Sequence, residues 1–214
     1  MKSKRIPAIA ETVFDVFYLC AGTVIGIYLL VTAKAPWQEL YGVMALVLAG
    51  GDAFHLVPRM RAGLTGERER FLGQLGMGKL VTSITMTVFY VLLWHIGLLL
   101  FPGSPMEAWT GVVYGAAVVR IVLCLLPQNK WRTDDGARIW NILRNLPFLL
   151  LGGVVLALFL TSAGGSQFQM MWLAILLSYA FYIPVVLGSR KYPMLGMLMI
   201  PKTCMYLWIL WMGL

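Results

Sequence analysis

One recurrence constrains this chain more than anything else in it. Seven times between polar breaks the sequence runs apolar for about 20 residues, the length a helix needs to cross a bilayer. The runs fall at roughly 10–32, 38–57, 75–101, 107–126, 140–161, 168–188 and 193–213. Within hydrocarbon a backbone has no water to bond, so such runs close their hydrogen bonds internally as helices. The breaks carry the expected Gly, Pro and charge: "KAPW", "LVPRMRAGLTGERER", "FPGSP", "LPQNKWRTDDGAR", "SAGGSQ" and "GSRKYP". None is long enough for a separate domain. Residues 1–214 therefore read as one all-α domain, a polytopic seven-helix membrane bundle. Composition agrees, with 60% hydrophobic and 12% charged residues where a soluble domain carries about a quarter charged.

The formal net charge of +8 raises the question of nucleic acid, and its placement answers it. Lys2, Lys4 and Arg5 precede the first run. Arg59, Arg61, Arg68 and Arg70 fill the second break, Lys130, Arg132 and Arg138 the fourth, and Arg190 with Lys191 the sixth. The first break has only Lys34, and the third and fifth have no basic residue. Basic connections on alternate breaks are the positive-inside pattern. They predict a cytoplasmic N-terminus, an external C-terminus and a multi-pass protein of the cell membrane. Its basic partners are then anionic lipid headgroups at the cytoplasmic face rather than nucleic acid. Glu11 and Asp15 interrupt the first run and no small-residue cleavage site follows, so the first run reads as an uncleaved span.

Ionisable residues within spans are costly and mark function. With this topology they collect in the cytoplasmic half. Glu11 and Asp15 lie one turn apart near the start of span one, with Tyr18 and Gly22 continuing their face. Asp52, His55 and Arg59 share a face at the end of span two, with Pro58 able to turn the chain before Arg59. Lys79, Thr82 and Ser83 follow in span three, Arg120 in span four, and Asn141, Arg144 and Asn145 at the head of span five. Lys202 is nine residues past Pro193, about 14 Å along a helix and close to mid-bilayer. Pro201 before it can free the carbonyl of residue 197, and Tyr206 lies one turn beyond.

This set points to acid–base chemistry on an anionic amphiphile. Asp15 and Asp52, on adjacent helices at similar depth, suit general acid and base, with His55 shuttling a proton. Arg120, Lys202, Arg144, Asn145, Lys79 and Tyr206 would bind the anionic part of the substrate. No metal or other cofactor is implied. The two histidines, His55 and His95, sit about 25 Å apart in depth and cannot share a zinc ion. A retinal site fits poorly, since residues 75–101 contain no carboxylate to serve as counter-ion.

The stretch "GGDAFHL" at 50–56 resembles the Gly-Asp-Ala-Phe stretch of the YhhN family of membrane lysoplasmalogenases, and "FLGQLGMG" from 71 is loosely similar to the helix that follows there. The resemblance implies cleavage of a lysolipid vinyl ether with Asp52 acting in catalysis. The chain departs from the family pattern further on: that family has a later intramembrane Ser-Asp pair and usually one span more, whereas here no aspartate follows Asp135. The expectation is a membrane-embedded enzyme acting on a lipid or amphiphilic anion from a polar cavity facing the cytoplasm. The alternative is a small-solute or proton-coupled transporter or channel, or a ligand-binding seven-helix sensor. The apolar outer half weighs against a route through to the far side.

Overall fold

In the computed structural model, which describes residues 2–133, 138–189 and 191–214, seven helices are long and apolar enough to cross a membrane, and no strand occurs among the described residues. They are α1 (Lys2–Thr32), α2 (Pro36–Thr65), α3 (Leu72–Leu100), α4 (Thr110–Leu125), α5 (Arg138–Ser162), α6 (Met171–Gly188) and α7 (Met199–Trp211). This is a multi-pass membrane protein by its helices.

The helix ends follow local chemistry. After α1, the chain extends at Ala35 and re-enters a helix at Pro36, whose fixed φ and missing N–H suit a first helical position. The Gln38 side chain accepts from the backbone N–H groups of Lys34 and Ala35. At the other end of α2, Gly66 takes φ 75° and donates to the Ala62 carbonyl, a left-handed cap that glycine adopts without steric cost.

Several boundaries differ from those read off the apolar runs. Helix α2 extends to Thr65, well past 57, because Pro58 does not turn the chain. Pro58 offers no N–H to the Phe54 carbonyl, and that carbonyl faces Gly78 of α3, where any side chain would collide with Phe54 and His55. Close packing by glycine at the weakened turn keeps α2 continuous against α3. The starts of spans four and seven are not α-helix: residues 105–109, which overlap the first residues of the run 107–126, and 193–198 form 3₁₀ turns that lead into α4 and α7. Pro201 consequently lies in the first turn of α7, where its missing N–H breaks no helical hydrogen bond.

Helices α1, α2 and α3 pack side by side, α3 also meets α4 and α5, and α5, α6 and α7 follow in order until α7 meets α1. Side-chain contacts fix which ends lie together. At one end, Arg59 of α2 pairs with Glu11 of α1, and Asn141 of α5 donates to the Val186 carbonyl of α6. We call this the basic end. At the opposite end, Trp94 of α3 donates to Thr110 of α4, Ser104 bonds Ser162, and Gln167 donates to the Met212 carbonyl.

The core between them is aromatic. Tyr90 of α3 meets Phe148 of α5 and Tyr179 of α6 edge-on or tilted, at 5.2 and 5.6 Å between ring centroids, and Phe89 meets Tyr206 of α7 at 5.6 Å. The outer faces of α1 and α4 are apolar and exposed, among them Val13, Phe17, Val24, Val31, Val118 and Val122. A surface of that kind suits contact with acyl chains.

Candidate functional site

The charged residues of the basic half converge from several helices. On α1, Asp15 is buried, and its carboxylate interacts electrostatically with Asp52 of α2. Tyr18, one turn beyond Asp15, donates its hydroxyl proton to Asp52 Oδ2 at 2.7 Å. Thr82 of α3 stands beside Asp52 and donates to the neighbouring Gly51 carbonyl at 3.0 Å. From α7, Lys202 attracts Asp52 across the bundle. Its ammonium group lies 4.9 Å from the ring centroids of both Tyr182 and Tyr206, within cation–π range. Asp52 and Lys202, on helices far apart in sequence, thus belong to one electrostatic cluster.

Arg120 enters from α4 and is 2% exposed. Its guanidinium stacks on the Phe148 ring, 3.4 Å from the centroid. Around it lie Tyr90, Tyr179, Cys124 and, from α7, the Lys202 ammonium, a like charge. The tyrosines form a hydroxyl cluster: Tyr90 and Ser178 are 3.3 Å apart, Tyr206 neighbours Tyr90, and Tyr179 donates to the Phe148 carbonyl at 2.8 Å.

Buried polar atoms are nearly always hydrogen-bonded in proteins. Among the described residues, the buried side-chain atoms without a partner are Asp15 Oδ2, His55 Nδ1, Arg120 Nε and Arg120 Nη1. All four belong to residues that the sequence singles out for chemistry or binding, and all lie in the basic half. The space beside Asp15 is small. A cleft of about 10 Å³, bordered by Glu11, Thr12, Asp15, Arg59, Met60 and Gly63, has room for about one water molecule and none for a lipid headgroup.

Other sequence candidates sit at the margin of this cluster. Lys79 approaches His55 from α3, and its carbonyl accepts from Ser83. Arg144 is engaged with the connection after α4: it donates to Asn129 Oδ1 and Asn141 Oδ1 and stacks over the Trp131 ring. Asn129 in turn donates to the Leu123, Cys124 and Leu126 carbonyls at the end of α4, and Trp131 Nε1 donates to Cys124. This bracing holds Lys130 at φ 47°, a left-handed conformation that costs a non-glycine residue about 1–2 kcal/mol. Asn145 donates to the Asn141 carbonyl and accepts from the Tyr182 hydroxyl, which fixes the ring against which Lys202 rests.

An open groove of about 530 Å³ runs along this connection, bordered by Met77, Leu125, Pro127, Lys130, Trp131 and Arg132. Sequence reasoning passed over Phe148, Ser178, Tyr179, Tyr182 and Tyr90, whose rings and hydroxyls complete the surroundings of the cations. An aromatic residue in an apolar run carries the same signal whether it fills the core or faces a charge.

These features define a multi-pass helical membrane protein with a buried cluster of opposite charges near one end. Compared with known protein families, curated proteins and solved structures, the chain matches none of them.

Proposed function

We propose that the protein resides in the cell membrane with its basic end and N-terminus on the cytoplasmic side. There it works as a membrane-embedded enzyme on a lipid or amphiphilic anion. The alternating Lys and Arg of its connections support that orientation. The observation that carries the functional reading is the set of unpartnered buried atoms on Asp15, His55 and Arg120. These are a proton acceptor, a ring nitrogen and a cation with open valences in one half of one bundle.

In this reading Asp52 and Asp15 divide the acid and base roles. One carboxyl gives its proton to the leaving oxygen, while the other takes a proton from the attacking water, so the pair returns to its starting protonation after hydrolysis and exchange. Tyr18 holds Asp52 in place, and His55 passes protons towards the basic end. Lys202 balances the charge of Asp52, and Arg120 meets the anionic part of the substrate. The resemblance of residues 50–56 to the lysoplasmalogenase stretch points to the same aspartate. Lys130 and Arg132, beside the groove after α4, suit contact with anionic headgroups at the cytoplasmic surface.

The test is lipid turnover. Wild-type protein in proteoliposomes containing lysophospholipids and lysoplasmalogens is expected to alter one lipid by mass spectrometry, and Asp52→Asn to reduce that turnover by at least about 100-fold, the scale of a lost acid–base group. Wild-type protein that leaves every lipid unchanged would exclude the enzyme.

A second reading, a proton-coupled transporter, is favoured by the narrowness of the cleft beside Asp15, which suits a water and a proton better than a headgroup. Proton or solute flux in the same vesicles without lipid turnover would select it.

A further inference from the structure

We infer that Arg120, rather than Lys202, is the anion-holding group of the bundle, and that its ligand presents a single negative charge among Arg120, Lys202 and the hydroxyls of Tyr90, Tyr206 and Ser178. The inference rests on the reading of the basic half as a ligand site and specifies what that site takes.

The two buried cations are not equivalent. Lys202 has an acid to answer it, since Asp52 attracts it across α2 and α7. Among the described residues Arg120 has none: it takes part in neither ion pair, two of its guanidinium nitrogens are unpartnered, and the charged neighbour it acts on is Lys202. A buried cation without a counter-charge is strongly disfavoured. With one of the coupled Asp15 and Asp52 carboxyls protonated, as the acid–base reading requires, one negative charge placed against Arg120 removes that imbalance and relieves its repulsion with Lys202. A second negative charge would leave an excess to be buried in its turn.

Phe148 covers one face of the guanidinium, so a ligand approaches Arg120 at its edges, where Nε and Nη1 are buried and unpartnered. The surrounding groups are hydroxyls and rings. Tyr90 and Ser178 share one hydrogen between oxygens 3.3 Å apart, and Tyr206 adjoins them, so this patch can turn protons towards an acceptor. Ser178 also donates to the Ile175 carbonyl at 2.8 Å, a bond it can exchange for one to a ligand. A donor-rich, apolar-walled site of this kind selects an anion of low hydration cost, because charge-assisted hydrogen bonds must replace its water.

Arg120 projects from the inward face of α4 that also carries Val113, Ala116, Ala117 and Cys124, while Val118, Val119 and Val122 face outward. Small alanines one turn before the arginine leave backbone, not bulk, beside it. The charged group can come from two sources, the headgroup of a single-chain amphiphile or a free small anion such as chloride, and the measurement separates them.

The 214-residue chain, purified in a neutral detergent in a buffer whose anion is a bulky sulfonate, is titrated at constant ionic strength with chloride, octanoate or lysophosphatidylglycerol, each of which carries one negative charge. Thermal unfolding gives the readout. A saturable rise of several degrees with at least one of these anions, absent in Arg120→Gln and partly kept in Arg120→Lys, is the expected result. Tyr90→Phe, which keeps the ring and removes the hydroxyl, should weaken the apparent affinity several-fold. A response to chloride alone assigns a free anion, and a response confined to the two amphiphiles assigns a headgroup.

If no anion raises the midpoint beyond the sulfonate control, or if Arg120→Gln responds as wild type does, the inference is overturned. Should Arg120→Gln fail to fold, an undiminished affinity in Tyr90→Phe and Arg120→Lys overturns it equally. Asp52→Asn separates this inference from the enzyme reading, since it should lose turnover and keep the anion response. Turnover without any anion response defeats the inference alone, and an anion response without turnover defeats the enzyme alone.

Discussion

The two ends of this bundle handle buried polarity in opposite ways. At the far end no buried side-chain nitrogen or oxygen among the described residues lacks a partner: Tyr41 donates to the Ile209 carbonyl and Trp94 to Thr110, while at the surface Gln167 donates to the Met212 carbonyl and His95 bonds Tyr114 at 2.6 Å. Trp37, Tyr41 and Phe168 pack edge-on or tilted with centroids 5.6–6.4 Å apart, as in a well-filled core. At the basic end the ionisable side chains are buried as deeply, yet four of their atoms have no partner. One end is organised for packing, and the other retains polar groups at a cost to stability.

Three substitutions probe that contrast. The largest effect is expected at Gly76→Ala. The new methyl group would overlap the Trp131 carbonyl, part of the braced connection after α4, and backbone on both sides prevents easy relief. A loss on the order of 3 kcal/mol is expected, the upper range for overpacking, seen as a fall in folded yield and unfolding midpoint. Gly50→Ala is its control, because nothing lies within 4 Å of a methyl group there. A normal midpoint for Gly76→Ala would mean that the connection is not fixed against α3.

Next comes Arg120→Met, where the two ends should differ in sign. Removing a buried charge that has no counter-charge leaves nothing stranded. The variant should therefore be more stable than wild type in the sulfonate buffer, by on the order of 1–3 kcal/mol, despite losing the contact with Phe148. Chemical denaturation of the purified protein measures this. A marked loss of stability would show that Arg120 is paired after all.

The smallest effect belongs to Tyr41→Phe at the far end. There the substitution strips the Ile209 carbonyl of a buried donor, and a loss of about 1–1.5 kcal/mol is expected. An unchanged midpoint would erase the distinction between the two ends.

Much of this organisation is legible in the sequence, for a physical reason. Hydropathy and length alone force helices through hydrocarbon, and each of the seven apolar runs matches one. What the runs misjudge are the ends. The last turns of α2, from Val57 to Thr65, are too polar to count as span, yet the helix continues because Gly78 lets α3 close over the turn weakened by Pro58. The entrances at 107–109 and 193–198 are apolar enough to count as α-helix and are wound as 3₁₀ turns instead.

For the site, Asp15, Asp52, Arg120 and Lys202 are visible because charge within an apolar run is rare and has few explanations. Which cation answers which acid is not visible. That depends on how α4 and α7 are placed around α3, and helix spacing in sequence carries no information about it. Arg144 and Lys202 look alike as basic residues near prolines. Only packing shows that one braces a connection while the other lies between tyrosine rings beside Asp52.

The glycines of α3 have a mechanical consequence. Gly78 is seated on α2, and Gly76 on the connection after α4, with no clearance for a single methyl group at either. Helix α3 therefore cannot slide or roll without driving backbone into backbone. Like a keyed shaft, it ties α2 and the connection after α4 into one stiff frame, which α1 joins where Gly26 and Gly42 meet backbone to backbone.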